Sequence, residues 1–552
     1  MPRLLITYFF IWLVLPAVAQ NTPVKQTAAS VTLQRPKLVV GIVVDQMRWD
    51  YLYRYFDRYA AEGGFKRMLS GGYACENTMV PYTPTITACG HTCIYTGAVP
   101  AVNGITGNEW WDYDTGTLTY CTGDDGVTTT GGNTTEGQMS PRNLLVTTIG
   151  DELRLATNFR SKVIGIALKD RAAILPAGHS ANAAYWYEEA TGNWISSSYY
   201  LKELPSWVKD LNAKKLPDQY FSLGWNTLYP LDSYIQSAPD QEVYEHRPFG
   251  RDAKGFPYTL KQFAGKNYNL LPVTPYGNSF TLDMAKAAIE GEQLGSGPVT
   301  DMLAISLSTP DYIGHTFGPN SVEAEDVFLR LDKDLGAFLN YLDDKLGKGG
   351  YLVFLTADHG VPQVPLFLTQ HKIPTCNAND ADFTNAINKL LNEKFGVDKL
   401  VAGLLNFQVY LDREAIKKNG LNKDLVNAAV IDYLLNQAGV YRAFALDKLY
   451  ETTLTEPIKA SLANSYYPPR SGDIQVLFQP QWVAGFLNGG TTHGSWNPYD
   501  THIPLLWYGW KIPAGETSRE IYMTDIAPTV ASLLHIQMPG GSTGHVIKEV
   551  SP

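Results

Sequence analysis

Residues 351–360, YLVFLTADHG, indicate the fold. The six residues 351–356 are largely apolar, too few for an independent helix and rich in Val, Leu and Phe, so they predict a buried strand. Asp358 and His359 follow directly where that strand ends. Ligands of open α/β sheets bind just beyond the carboxyl ends of the strands, and Asp with His suits a divalent metal such as zinc. Asp-His-Gly is also a common turn, so the stretch alone leaves both readings open.

Three other apolar stretches lead into charged residues in the same way. They are residues 37–45 ending in Asp45, residues 162–169 ending in Lys169, and residues 301–308 leading into Asp311 and His315. Helical periodicity over residues 278–290 and 322–346 alternates with these strands, which favours parallel strands whose carboxyl ends meet at one edge. We therefore predict an α/β fold with a central, mostly parallel sheet flanked by helices.

The predicted edge carries three carboxylates and three imidazoles. They are Asp45, Asp311, Asp358, His315, His359 and, from the glycine-rich loop at residues 489–494, His493. Asp311 and His315 are four residues apart, so one helical turn places both on the same face. Six such side chains suit two zinc ions with three protein ligands each and open positions for substrate.

Two further features suggest chemistry, and each has a plainer explanation. Thr87 is predicted at the N-cap of a short helix, where it either caps that helix or acts as a nucleophile whose attached anion the free N–H groups hold. Lys169 and Arg171 flank Asp170, so they form either a salt-bridged turn or a clamp for a phosphoryl group.

Composition narrows the class of partner and the cellular compartment. The net charge of −10 gives no general attraction to nucleic acid or anionic membranes, so any positive potential toward an anionic substrate is local. Residues 1–19 resemble a secretory signal peptide cleaved after Ala19. No cysteine stands directly after the cleavage site to carry a lipid anchor, and no later segment has 18 unbroken apolar residues. We therefore expect a periplasmic or secreted protein without a stable membrane anchor. The five cysteines fix no disulfide pairing.

Composition also divides the chain into a core with two insertions. The predicted core covers residues 36–183, 277–375 and 472–552. Residues 184–276 are rich in Tyr, Trp and Pro, and we predict that this insertion lies over the site. Residues 376–471 predict a second insertion, a small α/β lobe.

Six motifs, in order and spacing, resemble the alkaline phosphatase superfamily, particularly its phosphate-irrepressible alkaline phosphatases. They are VDQMRWDY, PTITACGH, ALKDR, STPDYIGH, TADHG and TTHGSWN, which together span nearly the whole mature chain. The resemblance implies an alkaline-phosphatase-like sheet with inserted lobes, in a monomer that acts on small phosphate monoesters. It further implies zinc-dependent hydrolysis through a phosphothreonine intermediate, with release of inorganic phosphate.

Roles for individual residues also come from the resemblance. It implies one zinc on Asp311, His315 and His493, a second on Asp45, Asp358 and His359 with the Thr87 oxygen beside it, and phosphoryl contacts from Asn108, Lys169 and Arg171. Cys89 and Cys93 lie beside Thr87, which makes a cysteine nucleophile an alternative, although Thr87 occupies the motif position.

Three other functions compete with a phosphomonoesterase. A nucleotide pyrophosphatase/phosphodiesterase would share the metals and the threonine, but a diester lacks the extra charge that Lys169 and Arg171 would offset. A sulfatase is disfavoured because threonine cannot supply the aldehyde that sulfatases use. A non-catalytic secreted surface protein with structural metals is the remaining alternative.

Overall fold

The structure, a computed structural model, describes residues 33–378, 380–484 and 489–551. The signal peptide predicted over residues 1–19 lies outside these ranges and stays a prediction. Among the described residues, no helix combines the length and apolar character needed to cross a membrane.

The strands are numbered in chain order. They are β1 (Leu38–Val44), β2 (Tyr73–Met79), β3 (Glu109–Asp112), β4 (Thr117–Tyr120), β5 (Thr129–Thr130), β6 (Val163–Ala167), β7 (Ala183–Glu188), β8 (Asn193–Ser197), β9 (Asp301–Leu307), β10 (Tyr351–Thr356), β11 (Cys376–Ala378), β12 (Val401–Leu405), β13 (Gln408–Leu411), β14 (Val440–Ala445), β15 (Ile474–Phe478), β16 (Trp482–Ala484), β17 (His502–Ile503), β18 (Leu505–Gly509) and β19 (Gly515–Tyr522).

The α-helices follow the same convention. They are α1 (Tyr51–Arg54), α2 (Gly64–Gly71), α3 (Thr87–Thr96), α4 (Pro100–Asn103), α5 (Ile149–Ala156), α6 (Asp170–Ala177), α7 (Ser206–Ala213), α8 (Leu216–Leu223), α9 (Tyr276–Glu292), α10 (Thr309–Phe317), α11 (Val322–Leu346), α12 (Pro365–Gln370), α13 (Asp380–Phe395), α14 (Arg413–Lys418), α15 (Lys423–Leu435), α16 (Glu456–Ala463), α17 (Pro498–Thr501) and α18 (Ile526–Leu534).

The centre of the main sheet is parallel, as predicted. Its strand order is β10-β1-β9-β6, and every neighbouring pair in that run is parallel. All residues of these four strands are buried, which explains why they are continuous apolar runs rather than alternating ones. Antiparallel β18 lies beside β10, so the sheet is mixed at that side. The prediction of a mostly parallel central sheet flanked by helices is confirmed.

Helices cover the sheet and begin where the strands end. Helix α9 packs on β9 and β6, and α6 packs on β6 and β7. Helix α11 and strand β10 have the bounds that the apolar pattern predicts. Strand β6 is shorter than predicted because Lys169 is already the N-cap of α6.

The placement of Thr87 at an N-cap is wrong. Helix α3 begins at Thr87 itself, and the N-cap position is Ile86, whose backbone is extended and which has no side-chain cap. The Thr87 hydroxyl therefore lies in the first helical turn and does not serve as the cap of this helix.

The two predicted insertions differ in how they join the core. Residues 184–276 start within β7, which pairs in parallel with β6 of the main sheet, and continue into loops packed by aromatic side chains such as Trp225 and Tyr258. The second insertion contains a separate four-stranded sheet, ordered β12-β13-β15-β14, with its own apolar core. Strand β15 lies just beyond residue 471 yet pairs within that sheet.

Candidate active site

The carboxyl ends of β1, β9 and β10 meet at one edge of the sheet. Asp45 directly follows β1, Asp311 lies in the first turn of α10 after β9, and Asp358 is two residues beyond β10. Because these strands are adjacent and parallel, the residues that follow them converge, although Asp45 is far from Asp311 and Asp358 in sequence.

The first group of candidate metal ligands is Asp311, His315 and His493. Nε2 of His315 lies 3.2 Å from Oδ1 of Asp311, and Nε2 of His493 lies 3.6 Å from the same oxygen. One ligand atom from each of the three residues lies within 4.8 Å of the others. This is the set that the sequence resemblance implies for one metal ion.

The second group surrounds His359. Its Nε2 lies 3.3 Å from Oδ2 of Asp358 and 3.7 Å from Oδ1 of Asp45. Two overlapping sets of three residues here also have one ligand atom each within 4.8 Å of the others. One set combines Asp45 and Asp358 with His91, and the other combines Asp45 and Asp311 with His359. Asp45 and Asp311 therefore link the two groups.

The ring orientation of all three imidazoles favours metal binding through Nε2. Each Nδ1 lies at hydrogen-bond distance from a backbone carbonyl: Thr491 for His315 (2.8 Å), Gly360 for His359 (3.0 Å) and Thr85 for His493 (2.6 Å). A carbonyl only accepts, so Nδ1 carries the proton and Nε2 presents its lone pair to the carboxylates.

These residues fit divalent metal ions. Oδ1 of Asp45 and Nε2 of His359 are buried and form no hydrogen bond within the described residues. Buried polar atoms of this kind are normally paired, and a cation between them would satisfy both. Oxygen and imidazole donors in groups of three are the usual ligands of catalytic metal sites, so this edge is a metal-binding site.

The electrostatics of the site reflect crowding of like charges. Burial, together with the charge of Asp358, raises the pKa of Asp45 well above its usual value. Burial acts in the same direction on Asp311, but His315 and Lys169 outweigh it and hold the pKa of Asp311 well below its usual value. Burial and the neighbouring imidazoles lower the pKa of His493, which keeps this ring neutral and able to bind a metal.

Lys169 lies between the two groups of ligands. Its Nζ is 2.7 Å from Oδ2 of Asp45 and 2.5 Å from Oδ2 of Asp311. Burial lowers its pKa, but these two carboxylates outweigh that effect and the net pKa is raised. Lys169 thus neutralises part of the charge of these two carboxylates, the same charge that a bound metal ion would offset.

Thr87 and Asn108 are held close to the second group. Oδ1 of Asn108 accepts a hydrogen bond from the backbone N–H of Ala88 over 3.1 Å. Nδ1 of His91 lies 2.9 Å from the carbonyl oxygen of Thr87 and 3.3 Å from Oδ2 of Asp358. The first turn of α3, which carries Thr87, therefore packs directly beside Asp358.

A hydrogen-bond network orients Arg171. Its Nη1 donates to the Tyr120 hydroxyl over 3.0 Å, and that hydroxyl donates to Oδ1 of Asp170 over 2.8 Å. Thr122 donates to the other oxygen of Asp170 over 2.6 Å. Within the described ranges, Nε of Arg171 is buried and has no hydrogen-bond partner, so part of this guanidinium is left for a ligand.

The cysteines next to Thr87 lie in apolar surroundings. Cys89 and Cys93 are fully buried, and burial raises the pKa of both thiols. A thiol with a raised pKa stays protonated and is a poor nucleophile, which disfavours the cysteine alternative.

Sequence reasoning missed several residues of the site. Gln46 hydrogen-bonds to Asp311 and Asp358, His91 contacts Asp358, and Tyr120 contacts Arg171. His91 is one helical turn from Thr87, a spacing that points to it as a neighbour. The role of Tyr120 leaves no local signal, because its partner is 51 positions away.

The chain matches the family described as type I phosphodiesterase / nucleotide pyrophosphatase over residues 39–500, and it belongs to that family. The resemblance to the alkaline phosphatase superfamily is thereby confirmed.

Within this class, the similarity extends to particular proteins. The chain is 52% identical to "Alkaline phosphatase PhoV" of Synechococcus elongatus over 94% of each chain. It is 49% identical to "Alkaline phosphatase PafA" of Elizabethkingia meningoseptica, again over 94% of each. The crystal structure of wild-type PafA superimposes with a TM-score of 0.92 at 48% identity, covering 94% of this chain and all 100% of the other.

Proposed function

We propose that the protein is an alkaline phosphatase that hydrolyses phosphate monoesters with two bound zinc ions. The observation that carries this proposal is the convergence of Asp45, Asp311, Asp358, His315, His359 and His493 beside Thr87 and the buried Lys169. The names of PhoV and PafA, at about half identity over nearly the whole chain, support the same activity.

In this proposal the Thr87 oxygen attacks phosphorus, and the bond from phosphorus to the alcohol oxygen breaks. Water then hydrolyses the phosphothreonine, which releases inorganic phosphate and restores the hydroxyl. Zinc ions held by the two groups of ligands would lower the pKa of the attacking oxygen and stabilise the departing one. The backbone N–H groups in the first turn of α3 point toward the N-terminal end of the helix, where Thr87 lies, and favour an anion at that end.

Asn108 and the cations have separate tasks in this scheme. With Oδ1 occupied by Ala88, the amide of Asn108 has its Nδ2 donors left for a phosphoryl oxygen. Arg171 and Lys169 offset the dianionic charge of a monoester, which a diester lacks. A solved PafA variant replaces one threonine, one asparagine, one lysine and one arginine, the same four residue types as Thr87, Asn108, Lys169 and Arg171.

We further propose that the mature protein is exported by its N-terminal segment and acts as a monomer in the periplasm or medium. The signal-like sequence at residues 1–19 supports export.

The decisive experiment measures hydrolysis of an aryl phosphate and of an aryl phosphodiester, before and after chelation and zinc add-back. We expect monoester turnover to dominate, to vanish with chelator and to return with zinc. Thr87→Ala should nearly abolish it, whereas Thr96→Ala, at the last turn of the same helix, should not. Dominant diester turnover would instead support the phosphodiesterase alternative. Zinc binding without hydrolysis of either ester would support a non-catalytic role.

A further inference from the structure

The second insertion contacts the loop that carries Asn108. We call residues 380–478 the inserted lobe and residues 104–113 the Asn108 loop. Nη1 of Arg470 donates to the carbonyl of Gly104 over 2.6 Å, and its guanidinium lies 4.6 Å from the Trp110 ring. The Tyr113 hydroxyl donates to Oδ2 of Asp473 over 3.0 Å. The lobe therefore contacts this loop on both sides of Asn108.

The contact nearest to Asn108 in sequence comes from the tip of the hairpin that joins β12 to β13. Asn406 and Phe407 form this tip, with φ values of 54° and 61°. Nδ2 of Asn406 donates to the carbonyl of Glu109 over 2.8 Å. A Cβ added to Gly107 would lie 2.3 Å from the same nitrogen, so the amide of Asn406 rests directly on the residue before Asn108.

The other residue of the tip touches the loop that carries His493. A Cβ added to Gly494 would lie 2.4 Å from the Phe407 ring, and Gly494 has a φ of 129°, which an L side chain rarely adopts. The hairpin tip therefore lies between Gly107, which precedes Asn108, and Gly494, which follows His493.

We propose that Asn406 is a positioning residue for Asn108, and that the inserted lobe in this way sets the phosphate-binding geometry of the core. The amide of Asn406 donates to the carbonyl of Glu109, and the backbone N–H of Ala88 donates to Oδ1 of Asn108, so two separate segments hold the loop at adjacent residues. This inference rests on the proposed function, since it requires that Asn108 contacts the phosphoryl group.

The test replaces Asn406 with glycine, which keeps the left-handed turn but removes the amide donor. We expect kcat/KM for an aryl phosphate to fall about 3- to 10-fold, the range for one lost hydrogen bond, with inhibition by inorganic phosphate weakened in parallel. Zinc content should stay at the parent value, because the hydrogen bond that the substitution removes goes to Glu109, which is not a proposed metal ligand. In an Asn108→Ala background the same change should cost less than about 2-fold, since its route of action is gone.

Two further variants keep this test interpretable. Asn406→Asp also permits the turn and removes the donor, so it should show a similar fall in kcat/KM. This variant replaces Asn406→Gly in the test if the glycine variant folds poorly. Asn419→Ala removes an exposed asparagine of the same lobe, whose side-chain amide donates to the carbonyl of Ala415 one helical turn earlier. This control should leave kcat/KM and the inhibition constant for inorganic phosphate unchanged.

The outcomes separate this inference from the proposed function. If Asn108→Ala leaves monoester turnover at the parent value, the proposed role of Asn108 fails. If Asn108→Ala lowers turnover but Asn406→Gly does not, the positioning role of Asn406 is wrong. An equal loss from Asn406→Gly in both backgrounds would also overturn it, because the effect would then bypass Asn108.

Discussion

The side-chain amide of Gln46 donates a hydrogen bond to Oδ1 of Asp311 over 2.6 Å. Its backbone N–H donates to Oδ1 of Asp358 over 3.1 Å. Gln46 thereby connects a carboxylate of each ligand group, and it does so from the left-handed region of the backbone, with a φ of 65°. Partners behind metal ligands orient those ligands and tune their affinity.

Gln46→Gly should weaken zinc binding at the Asp311 group about 10-fold or more, because it removes the amide but keeps the backbone conformation. Gln46→Ala should show the same loss of zinc affinity and should be about 1 kcal/mol less stable than Gln46→Gly, since alanine, like the parent glutamine, is strained at positive φ. Zinc competition against a chromogenic chelator and thermal unfolding measure the two effects. Parent zinc affinity in the glycine variant would rule out the orienting role.

Arg171→Ala should cost monoester hydrolysis about 2–4 kcal/mol in kcat/KM, the range for a buried charge-assisted contact, and should cost diester hydrolysis less. Tyr120→Phe is the matched variant, because it removes the hydroxyl that accepts from Arg171 but keeps the guanidinium. Tyr120→Phe should also lower kcat/KM for the monoester more than for the diester, but by a smaller amount. Equal losses for both esters would contradict the proposed charge matching.

Lys169→Met should destabilise the metal-free protein more than the zinc-loaded protein. Without metal, the ammonium group is the partner of Asp45 and Asp311, and removing one member of a buried ion pair costs about 3–5 kcal/mol. With zinc bound, the ions offset those carboxylates. Thermal unfolding with chelator and with excess zinc measures the difference, and the same shift in both conditions would refute the prediction.

Glu323→Gln should stabilise the protein at alkaline pH. Burial, together with the charges of neighbouring carboxylates, raises the pKa of Glu323 to about 8 and that of Glu245 to about 9. A group whose folded pKa is raised contributes stability at low pH that is lost as pH rises through the folded pKa. The Tm gain of the variant should therefore be larger at pH about 9 than at pH about 6.

Glutamine retains an oxygen for the Tyr258 hydroxyl, which donates to Oε1 of Glu323, so the substitution removes the charge and keeps this hydrogen bond. A lower Tm than the parent at alkaline pH would contradict this account and would indicate that a cation stabilises the carboxylates.

Local patterns predicted the elements of the core well. Helix α11 and strand β10 have the predicted bounds. Burial of one helical stripe leaves a helical periodicity in the sequence, and burial of a whole central strand leaves a short continuous apolar run. Element ends were less predictable. Thr87 is the first helical residue rather than the N-cap, because the extended backbone of Ile86 takes that position and its side chain leaves no capping signal.

Residue patterns were enough to predict that charged residues follow the apolar strands at one edge of a parallel sheet, and that Asp311 and His315 share a helical face. These features depend on local chain geometry, which residue spacing encodes. The contacts of Lys169 with two carboxylates, and that of the His493 ring with the carbonyl of Thr85 across 408 positions, were visible only in the folded chain. The same holds for the contact of Asn406 with the Asn108 loop. Such contacts depend on how distant segments pack, and residue spacing carries no record of that packing.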